Sequence, residues 1–196
     1  LGANVIGYSL NPPTNPALFD ILNLGNEITN VVSDIREKEK LFEIVKEYEP
    51  EFVFHLAAQS LVRNSYENPL DTFDVNVLGT ANMLEALRFS SSVKVGLIMT
   101  SDKCYDNKIN HRPHVEDDPM GGIDPYSASK GAAELITSSY NNSFFNAIDD
   151  RAAISTIRAG NILGGGDWAK DRIVPDSINA IIKNQNIQIR NPDSIR

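Results

Sequence analysis

The feature that most constrains this chain is an alternation: short apolar runs rich in branched residues give way, again and again, to longer segments whose apolar residues recur at helical spacing. The runs fall at residues 4–9, 28–33, 51–56, 93–100 and 152–158. Between them, residues 37–48 place Leu41, Ile44, Val45 and Tyr48 on one helical stripe with charges opposite, and residues 72–89 and 127–145 read the same way. Parallel strands joined by crossover helices produce this pattern. The predicted class is therefore α/β, a Rossmann-like doubly wound parallel sheet whose strand carboxyl ends line one crevice. Residues 173–184 add a helix with Pro175 in its first turn, and residues 187–190 a possible strand. The Asn- and Pro-rich stretch at residues 10–16 reads as a loop beyond a strand rather than a domain linker.

Composition narrows the partners. With 41% hydrophobic and 22% charged residues the chain has the balance of a folded globular protein, and its net charge of −8 offers no positive field to draw in DNA, RNA or an anionic membrane. No nucleic-acid or membrane partner is expected, and any phosphate-bearing ligand must be held by local groups. Cys104 is the sole cysteine, no cationic apolar leader opens the chain, and no apolar run approaches the roughly 18–20 residues that span a bilayer. A cytoplasmic location follows as an expectation. No His, Cys, Asp and Glu residues have metal-ligand spacing, so no metal site is predicted. His55 reads as a core histidine, and His111 and His114 as solvated residues of a polar loop.

Tyr126-Ser127-Ala128-Ser129-Lys130 is the segment richest in chemistry. Residues four apart share a helical face, so the Lys130 ammonium can stand near the Tyr126 hydroxyl and favour phenolate. Such a tyrosine can take a proton from a sugar hydroxyl while hydride leaves for a nicotinamide. A surface lysine beside a half-buried tyrosine satisfies the same spacing. Thr100-Ser101-Asp102-Lys103 directly follows an apolar run, where the fold exposes side chains to the crevice. There Ser101 can hydrogen-bond a reacting oxygen, and Asp102 with Lys103 can form an acid and base pair; a solvated charged turn is the other reading.

The ordered series His55-Leu56-Ala57-Ala58-Gln59, Asn76-Val77-Leu78-Gly79-Thr80, Thr100-Ser101-Asp102-Lys103, Pro125-Tyr126-Ser127-Ala128-Ser129-Lys130 and Arg158-Ala159-Gly160-Asn161 resembles the extended short-chain dehydrogenase/reductase family, in its branch of sugar-nucleotide epimerases and dehydratases. The resemblance covers nearly the whole chain. It implies an NAD cofactor held by Asp34, Ile35, Ala57, Ala58, Gln59, Asn76, Tyr126 and Lys130, with the Asp34 carboxylate and backbone meeting adenine. It also implies a nucleotide-sugar substrate contacted by Ser101, Asn161, Asp167, Trp168 and Arg172. Most 4,6-dehydratases of the family carry Asp-Glu after the strand; Asp102-Lys103 here, together with the run from Gly164 to Arg172, implies CDP-D-glucose as substrate and a C4 oxidation followed by elimination of water across C5 and C6. A 4-epimerase or reductase shares the same tyrosine, lysine and cofactor, and a non-catalytic module of the same fold is a third reading.

A complete member of the family opens with a strand and a Gly-x-x-Gly-x-x-Gly phosphate loop. No such run occurs here: Gly2 and Gly7 do not fit it, and Gly164, Gly165 and Gly166 come late. The expected organisation is residues 1–160 as a nicotinamide-binding domain lacking that first strand, and residues 161–196 as the beginning of a substrate-binding region. Both ends read as interior to a longer fold, the fragment alone is expected to be inactive, and relatives imply a homodimer or higher homo-oligomer at full length. After the second strand Asn11 stands where NAD-binding relatives often have an acid; that loop leaves NAD and NADP open, and internal recycling of the cofactor favours NAD.

Overall fold

All five apolar runs form strands, each trimmed by one or two residues at its ends, in the computed structural model, which describes residues 2–106, 112–146, 151–190 and 192–193. They are β1 (Ile6–Ser9), β2 (Thr29–Val32), β3 (Phe52–His55), β4 (Val95–Met99) and β5 (Ala153–Ile157). β1 pairs with β2, while β3, β4 and β5 form a second sheet in that order. Its strands are parallel, with His55 beside Ile98 and Met99 beside Ile157, so their carboxyl ends finish close together. The chain thus adopts the expected Rossmann-like α/β class.

The helices are α1 (Leu18–Ile21), α2 (Lys38–Tyr48), α3 (Val62–Glu67), α4 (Pro69–Phe73), α5 (Gly79–Phe89), α6 (Pro125–Tyr140) and α7 (Ile173–Ile182). α4 continues into α5 through a wider π-type turn, Asp74–Leu78, and α6 ends in another, Asn141–Phe145. The start of α6 shows why the chain turns helical there. Pro125 occupies the first turn, where a missing N–H costs nothing, and the Asp124 carboxylate accepts the Ser127 N–H at 2.9 Å and the Ser127 hydroxyl at 2.6 Å. α1 and α3 lie in stretches where no helix is expected from apolar spacing; each is little more than one turn long.

Contacts divide the chain into two compact units, Leu1–Leu10 with Asn30–Ile162, and Asn11–Thr29 with Leu163–Arg196. The first contains the three-stranded sheet and α2 to α6. Its core gathers Leu41 and Val45 of α2, Met83, Leu84 and Leu87 of α5, and Ile98 and Ile154 of the sheet. Alternation along β3 decides which face is covered: Val53 and His55 point to this core, while Phe52 and Phe54 are 59% and 62% exposed.

The second unit contains α1 and α7. Gly166 there has φ +80°, and a Cβ on it would lie 2.5 Å from Leu18 Cβ, so both its backbone and its neighbour demand glycine. The strand considered for residues 187–190 does not form: Ile187 and Ile189 are 46% and 58% exposed in irregular chain, with no strand among the described residues paired to them. Among the described residues no helix is long and apolar enough to cross a membrane.

Candidate active site

The carboxyl end of β4 runs straight into a tight turn, Asp102–Cys104, capped by Ser101. The Ser101 hydroxyl donates to Asp102 Oδ1 at 3.0 Å while its oxygen accepts the Lys103 N–H at 3.2 Å. Ser101 is buried and Asp102 and Lys103 are half-buried. The turn is tied to the end of β5 by the Asp102 N–H, which donates to the Ala159 carbonyl at 3.0 Å. Cys104, at its end, is fully buried, and burial pushes its thiol up to about 11, so it stays protonated and inert.

α6 brings Tyr126 and Lys130 alongside this turn. Both are buried, and the Lys130 ammonium donates to the carbonyl of Met99, the last residue of β4, at 3.2 Å. Burial pushes the Lys130 ammonium down to about 8. The surface-lysine reading of the Tyr-x-x-x-Lys spacing is thereby excluded. The approach is close because the loop before α6 crosses its first turn at Gly122, where a Cβ would sit 2.3 Å from the Ala128 backbone nitrogen.

His55 is indeed a core histidine, though one of its nitrogens is left over. The Thr80 hydroxyl donates to the Asn76 carbonyl at 2.7 Å, so its oxygen accepts from His55 Nε2 at 3.1 Å. Nδ1 is then the lone-pair nitrogen, and it is buried with no hydrogen-bond partner among the described residues. Burial, with the Lys130 charge adding to it, pushes the imidazole down to about 4.

Asn76, which the resemblance assigns to the cofactor, sits in the π-type turn with its amide fully committed inside the protein. Its Oδ1 accepts the Gln59 N–H at 2.8 Å, and its Nδ2 donates to the Gln59 carbonyl at 3.0 Å and to Ser129 Oγ at 2.9 Å. Asn76 therefore fastens the segment after β3 to α6, next to Lys130. Gln59 is likewise turned inward: its amide donates to Thr72 Oγ1 at 2.9 Å and to the Leu61 carbonyl at 3.1 Å. Ala57 and Ala58, half-buried at the same strand end, are small enough to let another molecule approach the backbone. At the end of β2, the Asp34 carboxylate is bound by Arg36 at 2.6 Å, which holds it below the usual carboxylate range, and Ile35 is buried with its carbonyl accepting from Asn82 at 3.1 Å.

Of the residues assigned to substrate, Ser101 and the exposed Asn161 belong to the first unit, whereas Asp167, Trp168 and Arg172 belong to the second. There Arg172 pairs with Asp167 at 2.7 Å, and Asp167 also accepts the Ala169 N–H at 3.0 Å. Trp168 Nε1 is buried with no partner among the described residues.

One cluster escaped prediction from sequence. Glu134, 3% exposed on α6, accepts from Thr100 Oγ1, from Thr156 Oγ1 at 2.9 Å and from Arg158 at 3.0 Å. Burial opposes its ionisation, but the hydrogen bonds from Arg158, Thr100 and Thr156 outweigh that and hold its carboxyl low. Arg158 also donates to the Tyr105 hydroxyl at 3.0 Å and to the Glu116 carbonyl at 2.7 Å. His114 is not simply solvated: it stacks on Tyr105 at 4.4 Å between centroids and meets Asp118 at 3.1 Å. His111 lies outside the described residues. The available signal was spacing, since Glu134 follows Tyr126 and Lys130 on the same helical stripe.

A parallel sheet with a buried tyrosine and lysine four residues apart on the helix beside its strand ends defines the class: a short-chain dehydrogenase/reductase, in its extended, sugar-nucleotide branch. The family model described as GDP-mannose 4,6 dehydratase matches residues 17–150, and the chain belongs to that family. A protein of Salmonella typhimurium named CDP-glucose 4,6-dehydratase is 48% identical over 199 residues, covering 100% of this chain and 55% of the relative. A putative UDP-glucose 4-epimerase of Methanocaldococcus jannaschii is 33% identical over 147 residues, covering 72% of this chain and 48% of the relative. The chain spans about half the length of these curated relatives. Among solved structures, a UDP-glucose 4-epimerase of Thermotoga maritima with UDP-glucose superposes with TM-score 0.81 at 21% identity, over 96% of this chain and 58% of that one. DesIV of Streptomyces venezuelae, a dTDP-glucose 4,6-dehydratase solved with NAD bound, gives 0.78 at 22%, over 92% and 53%. At these identities the structural likeness establishes the fold.

Proposed function

We propose that this chain carries the catalytic part of an NAD-dependent sugar-nucleotide 4,6-dehydratase that converts CDP-D-glucose to CDP-4-keto-6-deoxy-D-glucose and water. The observation that carries the proposal is the adjacency of Asp102 and Lys103, in a turn that follows the strand end to which Lys130 is bonded, within a chain 48% identical from end to end to a protein named CDP-glucose 4,6-dehydratase. The donor set suits a nicotinamide nucleotide: Lys130 is a buried cation one helical turn from Tyr126, and Ala57 and Ala58 leave the end of β3 open to close approach. Tyr126, Lys130, Ala57 and Ala58 would hold the nicotinamide end. Asn76 and Gln59 would support it from behind, and Asp34 and Ile35 would meet the adenine end. When bound, NAD supplies the two-electron acceptor that lets oxidation at C4 and reduction at C6 occur as halves of one turnover.

The residues divide the proton transfers. Tyr126, as the phenolate, takes the C4 hydroxyl proton, and Ser101 steadies that oxygen. The resulting C4 ketone acidifies the C5 hydrogen. Lys103, as the neutral amine, takes the C5 proton, and Asp102, as the acid, gives a proton to the departing C6 oxygen, so that water leaves and a C5=C6 double bond forms. Asn161, Asp167, Trp168 and Arg172 would contact the nucleotide sugar, Arg172 as a partner for the diphosphate. The setting we infer is cytoplasmic deoxysugar biosynthesis of the kind that supplies lipopolysaccharide O-antigen, by a homodimer or higher homo-oligomer.

Incubating the full-length protein with CDP-D-glucose and NAD should yield a product with the alkali-induced absorbance of a 4-keto sugar. Return of unchanged sugar, or of its C4 epimer, would overturn the dehydratase reading and favour a 4-epimerase.

A further inference from the structure

The turn that presents Asp102 and Lys103 is flanked by Thr100 and Tyr105, and these two residues are held by the two halves of one buried ion pair. Thr100 Oγ1 donates to Glu134, and the Tyr105 hydroxyl accepts from Arg158 at 3.0 Å, while Arg158 and Glu134 meet at 3.0 Å. Three further contacts stiffen the arrangement. Thr156 of β5 donates to the same Glu134 carboxylate at 2.9 Å, the Arg158 guanidinium lies 5.0 Å from the centre of the Tyr105 ring, and Arg158 donates to the Glu116 carbonyl at 2.7 Å. The side chains of Glu134 and Arg158 are 3% and 15% exposed. Glu134 stands one helical turn beyond Lys130, so the clamp references the turn to the very helix that carries Tyr126 and Lys130.

From this arrangement we infer that Glu134 and Arg158 are positioning residues for the elimination step: the ion pair fixes Asp102 and Lys103 relative to Tyr126 and Lys130 by gripping both flanks of their turn. The inference rests on the dehydratase reading for the roles of Asp102 and Lys103. Neither Glu134 nor Arg158 acts on the sugar in this account. C4 oxidation takes its base, Tyr126, and its cation, Lys130, from α6 itself, independent of the grip, and only the supporting hydrogen bond from Ser101 comes from the turn. Loss of the clamp should therefore separate the two halves of the reaction.

The test uses Arg158→Lys, which keeps a cation for Glu134 but cannot fork to Tyr105 and the Glu116 carbonyl, and Tyr105→Phe, which keeps the ring and removes one hydrogen bond. In the full-length protein with CDP-D-glucose and NAD, acid-quenched samples are resolved by mass into the 4-keto hexose and its dehydrated product. Both variants should form the 4-keto hexose at close to the wild-type rate and dehydrate it roughly tenfold more slowly, so that the undehydrated ketone accumulates. In the cofactor-free protein, amides of residues 101–106 should exchange hydrogen faster in the variants than in wild type, with those of residues 126–137 unchanged. Equal slowing of both steps, or wild-type exchange at residues 101–106, would overturn the positioning role. Tyr105→Phe decides the matter if Arg158→Lys fails to fold. Absence of any 4-keto product from the wild-type protein would instead overturn the reaction assignment, and the exchange comparison would still decide the clamp.

Discussion

The Lys130 ammonium donates to the Met99 carbonyl at 3.2 Å, joining the helix of Tyr126 to the last residue of β4. That bond satisfies one of three donors on a cation that is 6% exposed, and burial pushes the ammonium from its ordinary 10.5 down to about 8. A lysine depressed in this way stabilises the fold least when protonated. Its stability contribution is fully present above about 10.5 and is lost as pH falls through about 8. Lys130→Met should therefore be more stable than wild type at neutral pH, by on the order of 3 kcal/mol, with the gap closing as pH rises from about 8 to about 10.5. Thermal unfolding of both proteins across that range measures it; a gap independent of pH would contradict the burial argument. Activity should be lost in the same variant.

His55 gives the complementary acid-side effect. Its imidazole is neutral in the fold and pushed from 6.5 down to about 4 by burial and by Lys130. The unfolded chain takes up the proton first, so the stability tied to His55 is intact above about 6.5 and drains away as pH falls towards about 4. His55→Gln, which can still donate to Thr80, should lack this component. Denaturant midpoints measured between those pH values should fall more steeply for wild type than for the variant, by on the order of 3 kcal/mol in total.

Asn76→Ala removes three hydrogen bonds, one of them buried, and strands the Gln59 amide and carbonyl at the end of β3. The expected loss is about 2–4 kcal/mol, read from urea denaturation. It should be accompanied by faster exchange of the Gln59 backbone amide, because that N–H loses Asn76 Oδ1 as its acceptor. A loss below about 0.5 kcal/mol would mean that the amide is not the fastener described, since that is the scale of a neutral surface change.

Tyr126→Phe and Lys103→Ala should fail at different points. The tyrosine variant lacks the oxygen that the proposal assigns to the C4 proton and should form no ketone. The lysine variant should form the ketone and stall before dehydration, with loss of the C5 proton slowed by roughly 10²–10⁴, the range typical of a missing general base. Exchange of C5 hydrogen with deuterated water reports that step separately. Equal loss of ketone formation in the two variants would count against the assigned division of labour.

Much of this was legible in the residues, for reasons that also mark where legibility ends. The five strands were readable because short apolar runs such as Val95–Met99 alternate with longer helical segments, the pattern of a parallel sheet covered by helices. Helix α6 was readable over residues 127–145 from its period, and Tyr126 with Lys130 from their spacing along it. Residues 187–190 have equally suitable side chains, yet strand formation needs a hydrogen-bonding neighbour, which local sequence does not report. Asn76 and Gln59 were placed by resemblance among cofactor contacts; that the Asn76 amide grips the Gln59 backbone while the Gln59 amide turns to Thr72 and Leu61 is settled by tertiary packing, which local sequence does not report. Glu134 and Arg158 are 24 residues apart, and a buried carboxylate cannot be distinguished from a solvated one until the partner is known.

The most direct test of the central claim follows a single hydrogen. CDP-D-glucose deuterated at C4, turned over by the full-length protein with NAD, should give CDP-4-keto-6-deoxy-D-glucose carrying that deuterium on the C6 methyl group, with a solvent-derived hydrogen at C5. Deuterium retained at C4, whether in unchanged sugar or in its C4 epimer, would contradict the assignment of Asp102 and Lys103 to an elimination and with it the account of this site.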